Sequence, residues 1–230
     1  INIGKVGLQF NGDIELKEIL IRDYKKDTLI SAVELNTSIL NFKNLINSKL
    51  AFGDIDLEGL IFNLKTYKGE EDTNLDIFVA RFDADNPRKK GSTFLLSSSD
   101  VSIYDGTFRL IDENKETVNI LELNDIDING TNFLINGPNV NVRINTLSLK
   151  ENRGLLLKNL TTDFSYTLKE IHLANLNINT PKSKLKGDLK FLYDRSDFKE
   201  FTDKVKVEAN FTEADLALDE LNTFYNEFGI

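Results

Sequence analysis

Few side chains in this sequence could do chemistry. There is one histidine, His172, and no cysteine. With so little nitrogen and no thiol, a zinc site would need carboxylates for nearly every ligand. A Ser-His-Asp arrangement is limited to that one imidazole. His172 lies between Ile171 and Leu173, at the polar position of an alternating segment, and reads as a solvated histidine. Carboxylates come in pairs two residues apart, at Asp54/Asp56, Asp83/Asp85 and Asp125/Asp127. Residues so spaced on a strand share a face, so each pair could hold calcium or serve glycoside hydrolysis. None has the glycine and closing glutamate of an EF-hand loop, and charge on a polar sheet face accounts for them. Ser97 to Asp100 reads as a loop or strand entry, and no phosphate loop or dinucleotide fingerprint occurs. The sequence therefore predicts no catalytic residue, no metal and no cofactor: the chain is expected not to be an enzyme.

Composition narrows the class further. The 230 residues are 40% hydrophobic and 28% charged, the balance of a folded chain. Acidic residues outnumber basic ones 37 to 28, for a net charge of −9. A nucleic-acid partner is not expected, because phosphate binding needs a basic surface. Without cysteine there are no disulfides. No apolar run approaches the ~20 residues that span a bilayer. Methionine is absent and the chain opens on Ile1, Asn2, Ile3 and Gly4. The expectation is a fragment of a longer protein, with 1–230 as one segment undivided by any linker.

The elements follow from a period of two. Val140, Val142 and Ile144, or Val205, Val207, Ala209 and Phe211, alternate with Asn, Arg, Lys and Glu. Such alternation suits an antiparallel-rich sheet with one apolar and one polar face. Within it, apolar residues recur at offsets 0, 2, 5 and 7: Ile14/Leu16/Ile19/Ile21, Ile55/Leu57/Leu60/Phe62, Leu121/Leu123/Ile126/Ile128, Val142/Ile144/Leu147/Leu149, Ile171/Leu173/Leu176/Ile178 and, more weakly, Ala209/Phe211/Ala214/Leu216. On a helix these offsets fall at about 0°, 200°, 140° and 340° and share no face. On a strand, one inserted residue restores a common face, as a β-bulge does. The slips fall at Lys17-Glu18, Glu58-Gly59, Asn124-Asp125, Asn145-Thr146, Ala174-Asn175 and Thr212-Glu213. They predict kinks that curl the sheet into a trough.

Strands are predicted over 1–22, with a turn at Asn11-Gly12-Asp13, then over 29–42 and 50–67. A hairpin is predicted over 94–110 around Tyr104-Asp105-Gly106. Further strands are predicted over 118–135, 139–150, 155–168, 170–179, 184–193 and 204–218. Residues 68–73 and 83–91 read as exposed loops. One helical turn is predicted at 43–47, a short helix within 194–202, and another over 219–228 capped by Asp219. The fold class is all-β: a long curved sheet forming an apolar-lined groove or taco, with one or two short helices.

Three stretches carry a resemblance. The first runs from Asn11 to Thr66, through Ile14 to Asp23, Asp27 to Ile30, Ile39 to Ile46 and Ile55 to Phe62. The second is Val101 to Leu110, and the third runs from Ala214 to Phe224 as a strand followed by a short Leu/Phe helix. Together they resemble the AsmA/TamB family of Gram-negative envelope proteins (the translocation and assembly module type), in the part that follows the inner-membrane helix. The resemblance implies a periplasmic β-taco anchored to the inner membrane by a helix outside this chain. It implies an outer-membrane insertase of the TamA type as partner. It also implies roles in outer membrane biogenesis, meaning phospholipid transport between membranes and outer-membrane protein assembly.

A one-sided curved sheet leaves an apolar face for phospholipid acyl chains, each CH₂ moved onto it being worth about 0.8 kcal/mol. The expected groove liners are Ile14, Leu16, Ile55, Leu57, Phe62, Ile126, Ile128, Val142, Ile144, Leu173, Ile178, Phe211 and Leu216. The competing reading is a secreted or surface β-sandwich or β-solenoid binding module for adhesion, with that face buried in a dry core.

Overall fold

The computed structural model describes residues 2–10, 12–39, 49–85, 95–115, 119–194 and 204–221. The strands are β1 (Asn2–Leu8), β2 (Ile14–Arg22), β3 (Thr28–Ile39), β4 (Lys49–Glu58), β5 (Ile61–Thr66), β6 (Leu95–Asp112), β7 (Asn119–Asn136) and β8 (Asn139–Glu151). They continue with β9 (Leu156–Leu157), β10 (Asn159–Tyr166), β11 (Glu170–Asn179), β12 (Lys184–Leu192) and β13 (Lys206–Asp215). Among the described residues two helices accompany them, α1 (Asn74–Asp85) and α2 (Leu218–Leu221). All 13 strands belong to one sheet, ordered β1-β2-β3-β4-β6-β7-β8-β10-β11-β12-β13. β5 continues β4 between β3 and β6, and β9 pairs with β8. Every neighbour along the main path is antiparallel except β4 and β6. The fold is thus the expected all-β sheet, antiparallel-rich, with short helices.

All six predicted slips coincide with backbone irregularities. Four hold a residue in the left-handed region: Glu18 (φ 56), Gly59 (φ 59), Asp125 (φ 49) and Asn175 (φ 52). Asn145 is the extra residue where Asn129 pairs with Thr146 but Gly130 with Ile144. Thr212 is the extra residue where Lys186 pairs with Glu213 but Gly187 with Phe211. Gly, Asn and Asp dominate because they tolerate the left-handed conformation with least strain. Glu18 differs in kind. Its neighbours Gly4 and Val33 also drop out of the pairing, so the strands bend there without a register shift.

These irregularities line up from strand to strand. One line passes Gly4, Glu18, Val33, Gly59, Asp105 and Asp125. A second passes Asn145, Asn175 and Thr212. Bulges bend their strands, and bends aligned across neighbours crease the sheet. Close backbone approach is part of the device. At Gly187 (φ 149) an added Cβ would stand 2.1 Å from Asn210 O and 2.7 Å from Phe211 Cα. At Gly59 it would stand 2.6 Å from Val33 Cγ2.

Several expectations change. Residues 95–112 form one strand, not a hairpin. Asp105 is left-handed (φ 53) and its N–H donates to Asp127 Oδ1 at 3.1 Å, so Tyr104-Asp105-Gly106 creases the strand without reversing it. Residues 74–85 form a helix where the strand and loop readings left it unassigned or looped. Thr73 and Asp76 make a capping box: Thr73 N–H donates to Asp76 Oδ2 and Asp76 N–H to Thr73 Oγ1, both at 3.2 Å. The terminal helix begins at Leu218, so Asp219 lies in its first turn and is not its cap. There Asp219 pairs with Lys182, while Glu220 accepts Lys182 N–H at 3.0 Å and the hydroxyls of Thr180 and Ser183. The predicted turn at 43–47 and nearly all of the helix predicted within 194–202 lie outside the described residues.

A polar latch closes one end of the sheet. Asp23 is 6% exposed. Its Oδ1 accepts Lys25 N–H (2.9 Å) and Asp27 N–H (3.0 Å), and its Oδ2 accepts Tyr67 OH (2.7 Å) and Asn74 Nδ2 (3.2 Å). Asn74 is 1% exposed. It accepts Lys65 N–H at 2.9 Å and donates to Asn63 O at 3.0 Å. One amide side chain thereby does for β5 what a neighbouring strand would do. Lys25 Nζ and Lys65 Nζ stand 4.1 Å and 4.4 Å from the centroid of the Tyr67 ring. Burial, then hydrogen bonds to Asp23 and Asp27, push the Tyr67 phenol well above its ordinary range.

Candidate functional site

Directly paired residues stand on the same side of a sheet, so the ladder defines the apolar face row by row. One row crosses seven strands: Val6, Leu16, Leu35, Leu57, Ile103, Ile128 and Leu147. Beside it runs Leu8, Ile14, Thr37, Ile55, Val101, Gly130, Ile144 and Thr162. Beyond the second crease follow Val142, Phe164, Leu173, Leu189 and Ala209, and next to them Val140, Tyr166, Ile171, Phe191 and Val207. Where a residue is inserted, as at Asn145 and Thr212, it keeps the apolar residues of one strand on the same face across the crease.

The 13 sequence-predicted liners all fall on or at the end of this face. Ile14, Leu16, Ile55, Leu57, Ile128, Val142, Ile144 and Leu173 belong to the rows above. Phe62 pairs with Ile30 and Phe108, and its ring meets Phe108 edge-on at 5.6 Å. Ile126 pairs with Gly106, Ile178 with Leu160 and Leu185, and Phe211 with Gly187. Leu216 lies just beyond the end of β13. None is buried: Phe211 and Leu216 are exposed and the other eleven half-buried. The fully buried apolar side chains among the described residues are Leu29, Ala32, Tyr67, Leu157, Leu176, Tyr193 and Val205. Two of these, Ala32 and Leu176, share the face with the liners through their pairing with Ile19 and Gly187. Leu35, Ile103, Phe164, Tyr166 and Leu189 share it without having been singled out from the sequence, although their alternation marks them.

Several of the groups that could do chemistry bond the backbone or one another. His172 pairs with Ser165 and Lys190 on the polar side. Its Nε2 lies 4.0 Å from Asp188 Oδ1 and has no hydrogen-bond partner. Asp125 is a crease residue paired with Lys150 at 2.6 Å, and Asp127 holds the Asp105 N–H. Asp54 accepts a 3.4 Å hydrogen bond from Ser99 Oγ. Asp83 and Asp85 lie on α1. A depression of about 420 Å³ on the polar side is lined by Asp105, Asp125, Asp127, Ser148, Leu149, Lys150 and Leu156. Among the described residues, no three His, Cys, Asp or Glu side chains gather as metal ligands. No helix among them is long and apolar enough to cross a membrane.

Neither a family model nor a curated protein matches the sequence.

Proposed function

We propose that this chain is the periplasmic β-groove segment of an AsmA/TamB-like protein, and that its creased apolar face holds phospholipid acyl chains. One observation carries the reading: rows made mostly of aliphatic and aromatic side chains cross the sheet, and most of these side chains stay half-buried, so the face is only partly covered. At about 25 cal/mol per Å², leaving such a surface to water is costly, and an apolar occupant removes that cost. Acyl chains suit it because the rows carry no charge, and no reactive side chain is required. In this role the segment supports phospholipid transport to the outer membrane, outer-membrane protein assembly with a TamA-type insertase, or both. An upstream helix outside the chain anchors it to the inner membrane.

Native mass spectrometry of the protein purified without detergent tests the proposal. Adducts of phospholipid mass are expected, and they diminish when Leu57, Ile103 and Ile128 are changed together to Ser. Lipid-free protein that stays lipid-free after incubation with phosphatidylethanolamine vesicles would refute it. The alternative, a secreted or surface β-sandwich or β-solenoid adhesion module, would bury that face in a dry core and leave the protein free of lipid in the same measurement.

A further inference from the structure

We infer that Arg153 holds the phosphate of a phospholipid whose acyl chains lie on the apolar face. The inference rests on the acyl-chain reading and adds the place of the headgroup.

A buried charge on the apolar side of the sheet marks that place. Glu151, the last residue of β8, pairs with Leu123, so its side chain stands on the same side as Leu123. That side chain is 0% exposed. A carboxylate taken out of water persists only where it is paired and hydrogen-bonded, and both oxygens of Glu151 are. Oε1 accepts Arg153 Nε at 2.6 Å, and Oε2 accepts the Arg153 backbone N–H at 2.8 Å. Backbone bonds close the turn that carries Arg153: Glu151 N–H donates to Leu155 O at 2.8 Å, and Gly154 N–H to Glu151 O at 2.9 Å. Gly154 has φ 115, a conformation that favours glycine.

Glu151 is thus a positioning residue, drawing a guanidinium to the margin of an apolar surface and fixing its orientation. The Arg153 side chain is 45% exposed. A guanidinium has five N–H donors in a rigid fork. Nε meets Glu151, and the terminal nitrogens carry the other four, enough for a phosphate alongside a further contact. The fork matches phosphate oxygens and is weakly hydrated. Its surroundings are apolar: Leu123 lies opposite Glu151, and Leu149 opposite the buried Leu157. A ligand with hydrocarbon at one end and a phosphate at the other fits this juxtaposition. The Arg109–Glu122 pair, at 3.0 Å, provides a contrast. These two residues face each other between Phe108 and Leu110 on one strand and Leu123 and Leu121 on the other, so they stand on the polar side.

Competition between two lipids tests the assignment. Dioleoylphosphatidic acid and dioleoylglycerol carry the same acyl chains and differ by the phosphate. The 230-residue chain is incubated with both in equal amounts, and native mass spectrometry reads the ratio of their adducts. The unmodified chain is expected to favour phosphatidic acid roughly tenfold, the worth of one charge-assisted hydrogen bond. Glu151→Gln with Arg153→Gln removes the charges without leaving a buried carboxylate alone, and should bring the ratio near one. Circular dichroism checks that this variant folds. Arg109→Gln with Glu122→Gln removes a comparable pair from the polar side and should leave the ratio unchanged. Inorganic phosphate at the lipid concentration should also leave it unchanged. A ratio that collapses in that phosphate would assign the site to the free ion and overturn the headgroup. So would an unmodified chain without preference, a preference that survives in the Glu151/Arg153 variant, or its loss in the Arg109/Glu122 variant. In each of those cases acyl chains still bind. If neither lipid binds, the acyl-chain reading itself fails and the headgroup site fails with it.

Discussion

The backbone N–H of Asn175 donates to Asp188 Oδ1 on the neighbouring strand at 3.0 Å. Asn175 is left-handed (φ 52), and such a residue turns its N–H out of the regular ladder. A carboxylate from the adjacent strand receives it. Asp105 N–H and Asp127 Oδ1 repeat the arrangement at 3.1 Å on the other crease. Two bends separated in sequence thus use the same local chemistry. The Asp188→Ala variant should lose about 1 kcal/mol in chemical denaturation while keeping its strand content by circular dichroism. A variant as stable as the parent would remove Asp188 from this role.

Gly187 gives a sharper test of close approach. A methyl group there would meet the backbone of Asn210 and Phe211 in a conformation that L-residues rarely adopt. Gly187→Ala should cost roughly 2–4 kcal/mol. Gly69→Ala is the control: its φ is also positive (φ 80), but nothing lies within 4 Å of the added methyl. It should cost about 1 kcal/mol, the conformational penalty alone. Equal losses at both sites would show that contact with β13 contributes nothing.

Asn74 stands in for a missing strand beside β5, bonding both Lys65 N–H and Asn63 O. Asn74→Ala leaves buried backbone groups unpaired and should destabilise by about 2–3 kcal/mol. Hydrogen exchange should quicken first at Lys65. Unchanged protection there would mean that the amide is not the partner on which β5 depends.

The latch also sets a pH dependence. The hydrogen bond from Tyr67, then Lys65, holds the Asp27 carboxyl below its ordinary value of 3.8. Burial would raise Glu220, but Ser183, Thr180 and the Lys182 N–H outweigh it and hold Glu220 below 4.5. A depressed carboxylate stabilises the fold fully above its unfolded-state value and loses that contribution as pH falls through the folded one. The melting temperature should therefore drop as pH falls below about 4.5, and Asp27→Asn should make that drop shallower. Tyr67 is raised, so its contribution is complete below pH 10.0 and declines above it. Tyr67→Phe should flatten that alkaline decline.

Much of the fold was legible because a period of two and its slips are local signals. The offsets 0, 2, 5 and 7 located Glu18, Gly59, Asp125, Asn145, Asn175 and Thr212 before any pairing was known. They did not reveal that the bends align, since alignment depends on which strands become neighbours. Tyr104, Asp105 and Gly106 read as a hairpin because a left-handed Asp before Gly is the chemistry of a tight turn. The carboxylate of Asp127, over twenty residues away, makes it a crease instead. α1 was missed although Thr73 and Asp76 form a capping box and Leu75, Phe78, Val79 and Phe82 follow at helical spacing. The short apolar run lies between two charged stretches that read as loops, and no element is expected there from the sequence alone. The Asp23–Tyr67–Asn74 latch had no sequence signature, because its members come from three separate segments.

The central claim is that one face of this sheet, and not the other, holds acyl chains. Photocrosslinking from single benzoylphenylalanine substitutions tests it most directly, using neighbouring positions that point to opposite sides. The account predicts phospholipid adducts from Ile128 and Leu173 on the apolar face, and none above background from Asn129 and His172 on the polar face. Equal labelling from both faces, or no labelling from Ile128 and Leu173 in cell envelopes, would contradict it.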